Sequence, residues 1–324
     1  MRFLNKEHQF RSDMITKGAN KVMECYGVKA GEKVLIIVDT KTPPSIGSGL
    51  FEAARNIGCE VMMLTMLPRS RHGEEIPEPV AQAMKNSDVV IAPTTFSLTH
   101  TQARINACKA GARVASMPGI TENMMSSGGM TTNYDRINEI AIDLNKKLES
   151  ARKIRVVTDS GTDMTFDLEG CKWYMDTGMC REPGCSSNLP AGELYIAPRD
   201  ANGVFVVDGS MSSFGILDSP LEFTVKKRYV TNIKGKYAEK LNSILDKVGE
   251  KARNIAEFGI GINPEARLIG NVLEDEKVGG TIHIALGDNS TFGGDVIAGI
   301  HLDGIIKEPH LYVDGERFIL SFDK

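Results

Sequence analysis

The sequence predicts an α/β domain with a doubly wound parallel sheet, followed by an α+β domain that is mostly antiparallel. Three observations support this fold class. In the first 120 residues, short β-branched apolar runs alternate with helical segments of about 10–15 residues, as right-handed βαβ units require. Beyond residue 152, strand patterns follow one another with turns between them. The length of 324 residues suits two domains rather than one.

Four strands and three helices are predicted in the first half. The strands are apolar runs typical of a buried parallel sheet, over residues 33–40, 60–67, 88–96 and 112–119. The helices cover residues 45–57, 77–86 and 97–111. We expect Ser45 to cap the first helix and Gly58 to end it. The segment after the first strand, DTKTPPSIGSG, lacks the G-x-G-x-x-G spacing of a dinucleotide site, so this half is expected to be a scaffold.

A long amphipathic helix is predicted over residues 131–152, and we expect it to bridge the two domains. The predicted boundaries are residues 1–125 for the scaffold domain and residues 126–324 for a catalytic domain that holds a metal site. In the catalytic domain, KIRVVTD and MTFDLEG predict a hairpin, and one further helix is expected over residues 236–254. Other strands are predicted in ELYIAP, GVFVVDGS, LEFTVKKRYV, TIHIALGD, DVIAGIHLDGIIK and HLYVDGERFIL.

Composition and charge narrow the class of function. The net charge is −4 and the basic residues are spread along the chain, so neither nucleic acid nor an anionic membrane surface is an expected partner. No apolar run approaches the ~18 residues of a membrane span, and MRFLNKEHQF has no apolar signal segment. The six cysteines form no C-x-x-C pair, and the spacings of Cys171, Cys180 and Cys185 match no usual zinc pattern. We therefore expect free thiols and a cytoplasmic location.

The strongest chemical signal comes from His283, His301 and Asp303. In IHLDG the histidine and the aspartate are two positions apart, so a strand would place both side chains on one face. His283 lies in TIHIALGD, which we expect to form a neighbouring strand. Each histidine taken alone is compatible with an ordinary core or surface position. Together with the aspartate they form the minimum set for a divalent metal, either zinc or ferrous iron.

Two glutamates add to this set, whereas one acidic run does not. Glu193 enters a predicted strand after the turn in NLPAGE, and Glu257 lies between a helix end and a glycine-rich turn in AEFGIG. Glycines beside a carboxylate suggest that backbone and substrate approach closely there. The run LEDEK, residues 273–277, lies in a connecting segment, where we expect a solvated loop.

These motifs, in their order and spacing, resemble those of the thermophilic-type M29 metallo-aminopeptidases. They resemble at least as well the shorter relatives of these enzymes, a group that includes the 2,5-dihydroxypyridine 5,6-dioxygenases. The similarity runs through the second half, from DSGTDMTFDLEG to IHLDGIIKEP, and extends more weakly to SLTHTQARINACKAGARVASMPG in the first half.

The resemblance implies a metal site of one of two kinds. For the aminopeptidases it implies a pair of zinc, cobalt or manganese ions held by residues that match Glu193, Glu257, His283, His301 and Asp303. For the dioxygenases it implies a single Fe(II) on the two histidines and the aspartate, with the Glu193 position serving as an acid or base. His100, in SLTHT, could reach either site from the first domain.

The resemblance leaves the reaction open. Both glutamates are present, which favours metal-assisted hydrolysis of a small amide or a peptide N-terminus by an aminopeptidase-type hydrolase. Ser290, however, stands where the peptidases carry a tyrosine, seven residues after His283. We predict the two-metal hydrolase first, a ring-cleaving Fe(II) dioxygenase as the alternative, and a catalytically idle peptide-binding relative as the third hypothesis. The resemblance also implies a homodimer that acts on a small molecule or a short peptide.

Overall fold

The structure is a computed structural model that describes residues 15–320. Contacts divide the chain into two compact units. Unit 1 comprises the described residues up to Asp135 together with Thr177–Ala191, and unit 2 comprises Arg136–Asp176 together with the described residues from Gly192 onward. The proposed boundary at residue 125 of an independent scaffold domain stays a prediction.

Unit 1 alternates helices and strands along the chain. Its elements are α1 over residues 15–25, β1 (Lys33–Asp39), α2 (Pro44–Ile57), β2 (Glu60–Met66), α3 (Glu78–Lys85), β3 (Val89–Ala92), α4 (Gln102–Lys109), β4 (Arg113–Ser116), α5 (Glu122–Ser126), a 3₁₀ turn (Gly128–Thr131) and β8 (Ser186–Asn188). The strands form sheet 1, which is parallel throughout in the order β2-β1-β3-β4-β8. This confirms an α/β unit, and β1 lies between β2 and β3, where the strand order of a doubly wound sheet reverses.

Three local predictions for unit 1 are corrected by the structure. Ser45 does not cap α2, because Pro43 holds the N-cap position and the Ser45 hydroxyl donates to the Glu122 carboxylate. α4 begins later than predicted, because Thr101 caps it by accepting a hydrogen bond from the Arg104 amide. β8 is a further strand that was not predicted, since its sequence SSN is short and polar. The predicted end of α2 at Gly58 is confirmed, with a left-handed φ of 96°.

A disulfide joins Cys180 and Cys185 just before β8. The expectation of free thiols is therefore wrong for this pair, whereas the other four cysteines are free. Gly184, at a φ of 82°, makes the turn that brings the two sulfur atoms together. A spacing of five residues in a glycine-containing segment matches no recognised disulfide or metal pattern, so this disulfide could not be predicted from the sequence.

Unit 2 contains all the antiparallel strands of the described residues. Its elements are most of α6 (Tyr134–Leu148), β5 (Lys153–Val157), β6 (Asp163–Asp167), β7 (Trp173–Asp176), β9 (Glu193–Ile196), β10 (Asp200–Val207), β11 (Ser210–Met211), β12 (Gly215–Ile216), β13 (Leu221–Lys226), β14 (Tyr229–Lys234), α7 (Ala238–Val248), a 3₁₀ turn (Glu250–Arg253), β15 (Ile255–Gly261), α8 (Val272–Asp275), β16 (Ile282–Gly287), β17 (His301–Ile306), β18 (His310–Val313) and β19 (Glu316–Phe318). The hairpin of β5 and β6 and the helix α7 confirm two of the predictions.

Two seven-stranded sheets form the body of unit 2. Sheet 2 has the order β14-β13-β10-β6-β5-β18-β19, and sheet 3 has the order β12-β11-β17-β16-β15-β9-β7. The rings of Phe166 in sheet 2 and Phe258 in sheet 3 pack with centroids 4.7 Å apart, so the apolar faces of the two sheets share a core. The other face of sheet 3 is then free to carry polar residues. LEFTVKKRYV, predicted as one strand, is a hairpin that turns at Lys227 and Arg228, both with positive φ.

None of the helices within residues 15–320 combines the length and the apolar character that a membrane crossing would need.

Candidate metal centre

One face of sheet 3 carries all five predicted metal ligands. In the antiparallel register, β17 pairs with β16, β16 with β15, and β15 with β9. In this register, each of the five residues lies opposite a glycine or an alanine of the neighbouring strand. His301 lies opposite Gly287, Asp303 and Glu257 lie on either side of Ala285, His283 lies opposite Gly259, and Glu193 lies opposite Gly261. Because alternate residues of a strand share a face, the five side chains point the same way. The prediction that His301 and Asp303 share a face beside the strand of His283 is confirmed.

Small residues make room for the large side chains on this face. A Cβ added at Gly259 would lie 1.9 Å from Nε2 of His283, so the imidazole lies directly over the glycine. Ala285 separates Glu257 from Asp303 in the same way. This also corrects the position of Glu257, which lies inside the buried strand β15 and not between a helix end and a glycine-rich turn. The glycines of EFGIG do not break the strand; they accommodate side chains from its neighbours.

Four of these residues form what we call the histidine cluster: Glu257, His283, His301 and Asp303. Nε2 of His283 lies 3.0 Å from Oε1 of Glu257. Nε2 of His301 lies 3.5 Å from Oε2 of Glu257 and 3.3 Å from Oδ1 of Asp303. Ligand atoms of Glu257, His283 and Asp303 all lie within 4.8 Å of one another. The His301 side chain is 28% exposed and the other three are 8% exposed or less, so the cluster is accessible from the side of His301.

A backbone contact fixes the orientation of the His301 ring. Its Nδ1 lies 2.9 Å from the carbonyl oxygen of Asp288. An N–H at Nδ1 donates this bond, so Nε2 is the atom that faces the carboxylates and that would bind a metal after losing its proton, as in most metal-binding histidines. The Asp288 carboxylate in turn accepts hydrogen bonds from the Ser290 amide and hydroxyl and from the amides of Ala298 and Gly299. The loop that positions His301 is therefore held by one aspartate.

The histidine cluster fits a cation. Burial opposes the charge of Asp303, but the neighbouring His301 lowers the pKa of this carboxyl to about 2. Burial also opposes protonation of His301, but Asp303 and Glu257 raise the imidazole pKa to about 10. Oδ1 of Asp303 is buried and makes no hydrogen bond among the described residues. A buried carboxylate oxygen without a hydrogen-bond partner, beside two imidazole nitrogens, is a donor set that suits a divalent metal.

A second group on the same face, which we call the lysine cluster, comprises Lys277, Glu193, Glu276 and Asp176. The Lys277 ammonium donates to Oε1 of Glu193 and, at 2.6 Å, to Oε1 of Glu276. Oδ2 of Asp176, which pairs with Glu193 across β7 and β9, lies 3.8 Å from the same nitrogen. Burial raises the pKa of Glu193 and of Glu276 to about 8. Burial also opposes the charge of Lys277, but the carboxylates raise its pKa well above the usual value.

The lysine cluster corrects the prediction for LEDEK. Glu274, Asp275 and Lys277 are fully buried instead of solvated. Glu274 accepts from the amide and the guanidinium of Arg267, and Asp275 accepts from the Ser210 hydroxyl, which pins the segment inside unit 2. The sequence contained one usable signal: apolar residues bound this charged run on both sides, whereas a solvated run usually lies among polar ones.

Two other predicted residues lie outside these clusters. Ser290 is exposed, and its hydroxyl donates to Asp288 at 2.7 Å. His100 is an exposed residue of unit 1, in the turn before α4 and not in the helix where it was expected. Its approach to the site from the first domain stays a prediction.

Comparisons with known proteins show which family the chain belongs to and which solved structures share its fold. The model of the NicX (2,5-dihydroxypyridine 5,6-dioxygenase) family matches residues 14–321. The chain belongs to this family. Among solved structures, this NicX-family chain is similar to the 2,5-dihydroxypyridine dioxygenase from Pseudomonas putida KT2440, with a TM-score of 0.82, 19% identity, and coverage of 96% of this chain and 97% of the other. It is also similar to wild-type AmpT from Thermus thermophilus, with a TM-score of 0.69, 16% identity, and coverage of 94% and 97%.

Because the identities are only 19% and 16%, the likeness to these two structures shows a shared fold and nothing more. No curated protein matches the chain significantly. The family match confirms the predicted relationship to the dioxygenases and, at the level of the family, the prediction of an enzyme. The fold shared with AmpT is consistent with the wider resemblance. The hydrolase that we placed first is not confirmed, and the family match favours the dioxygenase alternative.

Proposed function

We propose that this NicX-family protein is a mononuclear Fe(II) dioxygenase that opens the ring of 2,5-dihydroxypyridine or a closely related hydroxypyridine. The observation that carries the proposal is the position of the Asp303 carboxylate, which lies 3.3 Å from Nε2 of His301 and whose ligand atom lies within 4.8 Å of that of His283. Two histidines and one carboxylate are the ligand set of non-haem Fe(II) oxygenases. The family match supports the same reaction class and supplies the substrate class.

In this proposal His283, His301 and Asp303 hold the iron. Bound Fe(II) would supply the redox chemistry that O₂ requires and a positive charge for an ionised substrate hydroxyl. Glu257 lies against both imidazoles and carries no lysine partner among the described residues, so we assign it the proton from the substrate hydroxyl. Glu193 is ion-paired with Lys277, and we therefore do not assign it the acid–base role that the resemblance implied.

Aromatic side chains beside the histidine cluster suit a planar ring. Phe292 packs edge-on against His301 with ring centroids 5.9 Å apart, and Tyr195 packs edge-on against Phe292 at 5.5 Å. Tyr174 stacks on Tyr195 at 5.6 Å and extends the row. Such a row offers faces and edges to an aromatic substrate. The hydrolase hypothesis requires a peptide N-terminus as substrate, and such a substrate does not require a row of aromatic side chains.

Oxygen uptake tests the proposal. Protein purified without oxygen and loaded with Fe(II) should consume O₂ when 2,5-dihydroxypyridine is added, with loss of the ring absorbance. Asp303→Asn should abolish the uptake, because a ligand is lost. Release of nitroaniline from leucine p-nitroanilide after loading with zinc, cobalt or manganese, absent in Glu257→Ala, would instead establish the hydrolase. Absence of both activities together with absence of metal binding would favour the idle relative.

Three further predictions belong to this proposal. We propose that His100 contributes to substrate binding, so that His100→Ala should raise KM or lower kcat and leave the iron content unchanged. We also propose that the enzyme is cytoplasmic and homodimeric. A sedimentation measurement at the mass of one chain would contradict the dimer.

A further inference from the structure

Two groups on the same face of sheet 3 have the composition of a metal site, but they differ in their cation. Glu257, His283 and Asp303 form one set of close ligand atoms, and Glu193, Glu276 and His283 form the other. His283 belongs to both: its Nε2 lies 3.0 Å from Glu257 and 3.4 Å from Oε2 of Glu193. The second set already surrounds the ammonium of Lys277. A pair of metals that shared His283 would need both positions.

We propose that the Lys277 ammonium permanently fills the second cation position of this face, so that the chain binds one metal ion and Glu193 is not a metal ligand. This inference deepens the proposed function and rests on its assignment of the metal to the histidine cluster. It also names Lys277 as the residue that separates a one-metal from a two-metal site in this chain. Lys277 is a positioning residue, since it acts through Glu193.

Burial makes the lysine difficult to displace. Its side chain is 0% exposed, and those of Glu193, Asp176 and Glu276 are 7%, 9% and 14% exposed. A metal ion entering among these carboxylates would have to expel a cation that is fully buried in this conformation. The expelled ammonium would lose three carboxylate neighbours. A charge that stayed buried would then need a new partner, because a buried charge is tolerated only when it is paired.

Backbone hydrogen bonds and one glycine fix the position of Lys277. Lys277 follows α8 in a turn, where its amide donates to the Glu274 carbonyl at 3.0 Å. Its own carbonyl accepts from the Asn263 amide at 2.9 Å, which ties the turn to the chain after β15. Gly261 permits the approach, because a Cβ there would lie 2.9 Å from the Lys277 carbonyl carbon and 2.2 Å from the Val278 oxygen. The position of the ammonium is therefore fixed from two directions.

Glu193 and Glu257, the two glutamates of the two-metal pattern, can both be present in a chain that binds one metal, because Lys277 occupies the first of them. Glu193 keeps its place in β9, but its Oε1 is occupied by the ammonium. Oε2 of Glu193 is buried without a hydrogen bond among the described residues, and it faces His283. Glu193 thus contacts His283 through one oxygen, while Lys277 occupies its other oxygen and keeps it from binding a metal.

The test is a count of bound Mn²⁺ per chain at saturation, by calorimetric titration and by elemental analysis after desalting. We expect one ion in the wild-type protein and two in Lys277→Gln, because the freed carboxylates of Glu193 and Glu276 then require a cation. The second ion should disappear again in the double variant Lys277→Gln/Glu276→Gln. Lys251→Gln, which removes an exposed lysine, is the matched control and should bind one ion.

Two results would overturn the inference. One is a wild-type protein that binds two ions, seen also as a coupled manganese pair in its paramagnetic resonance spectrum. The other is a folded Lys277→Gln variant that still binds only one ion. If Lys277→Gln does not fold, Glu193→Gln decides: retention of one ion supports the inference, and loss of that ion contradicts it. Correct ion counts without O₂ uptake on dihydroxypyridine would refute the proposed reaction alone, whereas uptake with incorrect counts would refute this inference alone.

Discussion

The histidine cluster and the lysine cluster lie on the same face of sheet 3, but they balance their buried carboxylates in opposite ways. In the lysine cluster the chain supplies its own cation, and Oε1 of both glutamates contacts it. In the histidine cluster Oδ1 of Asp303 has no hydrogen-bond partner among the described residues. Buried acids need a compensating charge in either case. The lysine cluster thus contains a cation that the chain holds in place, whereas the histidine cluster contains only the titratable His301, whose proton a metal from solution can replace.

The largest effect that would test this difference comes from Asp303→Asn. The variant keeps the shape of the side chain but removes the charge that a metal would balance. We expect Fe(II) affinity to fall by more than about a hundredfold, because even changes to the partners of metal ligands cost 10–100-fold. Titration of the metal checks this, with the exposed Asp163→Asn as the control that should bind normally. Unchanged affinity would place the metal elsewhere.

Gly259→Ala should come next, because it disturbs His283 without touching a charge. The added Cβ would lie 1.9 Å from Nε2 of the imidazole, so the ring must leave its present position. We expect loss of most metal binding in a protein that still folds. In the control Gly47→Ala, the nearest atoms to the new Cβ are the ends of the Met63 and Val38 side chains at 3.1 Å, which can move aside. If a Gly259→Ala crystal structure shows His283 unmoved and metal bound, the close approach is not important.

Asp288→Ala should have an intermediate effect on the histidine cluster. The side chain accepts three backbone amides and one hydroxyl, and the carbonyl of the same residue accepts from His301. Without the carboxylate the loop loosens, and we expect metal affinity to fall by about 10–100-fold. Ser290→Ala removes only one of these bonds and should change affinity by less than about threefold. Equal effects of the two variants would show that Asp288 does not organise the loop.

Glu276→Gln should have the smallest effect of the four. Burial already raises the pKa of Glu276 to about 8, so its negative charge is poorly stabilised, and the amide oxygen of glutamine can still accept from Lys277. We expect the free energy of unfolding to change by no more than about 1–2 kcal/mol. The metal count should stay at one per chain. Denaturant titration and metal analysis check the two statements, and loss of metal would mean that the clusters are not separate.

Much of the candidate site could be predicted because strand periodicity is local. The spacing of His301 and Asp303, two residues apart in an apolar strand, fixes a shared face whatever the rest of the fold does. The same reasoning placed Glu193 correctly at the start of β9. It failed for Glu257, because its glycines were interpreted as a turn, whereas they serve side chains from β16 that are distant in sequence.

The lysine cluster could not be predicted, because its carboxylates come from separate parts of the chain. Asp176, Glu193 and Glu276 are far apart in sequence and meet only when β7, β9 and the turn after α8 are in place. A charged run on its own usually indicates a solvated surface, so LEDEK was interpreted in that way. The strand β8 was missed for a related reason: its three polar residues are held by pairing with β4 and carry no apolar signal of their own.

The order of the chain through β8 has a consequence for how the protein can be divided and made. Unit 1 receives its last strand from residues 186–188, after the chain has already contributed β5, β6 and β7 to unit 2. A fragment ending at residue 125 would expose the hydrogen-bonding edge of β4 and would leave Tyr26 without the Ser187 carbonyl, 2.8 Å from its hydroxyl. During synthesis from the N-terminus, unit 1 therefore cannot be completed until β5, β6 and β7 of unit 2 have already been made. Each unit is compact by itself, but the two units are interleaved along the chain and therefore in the order of their synthesis.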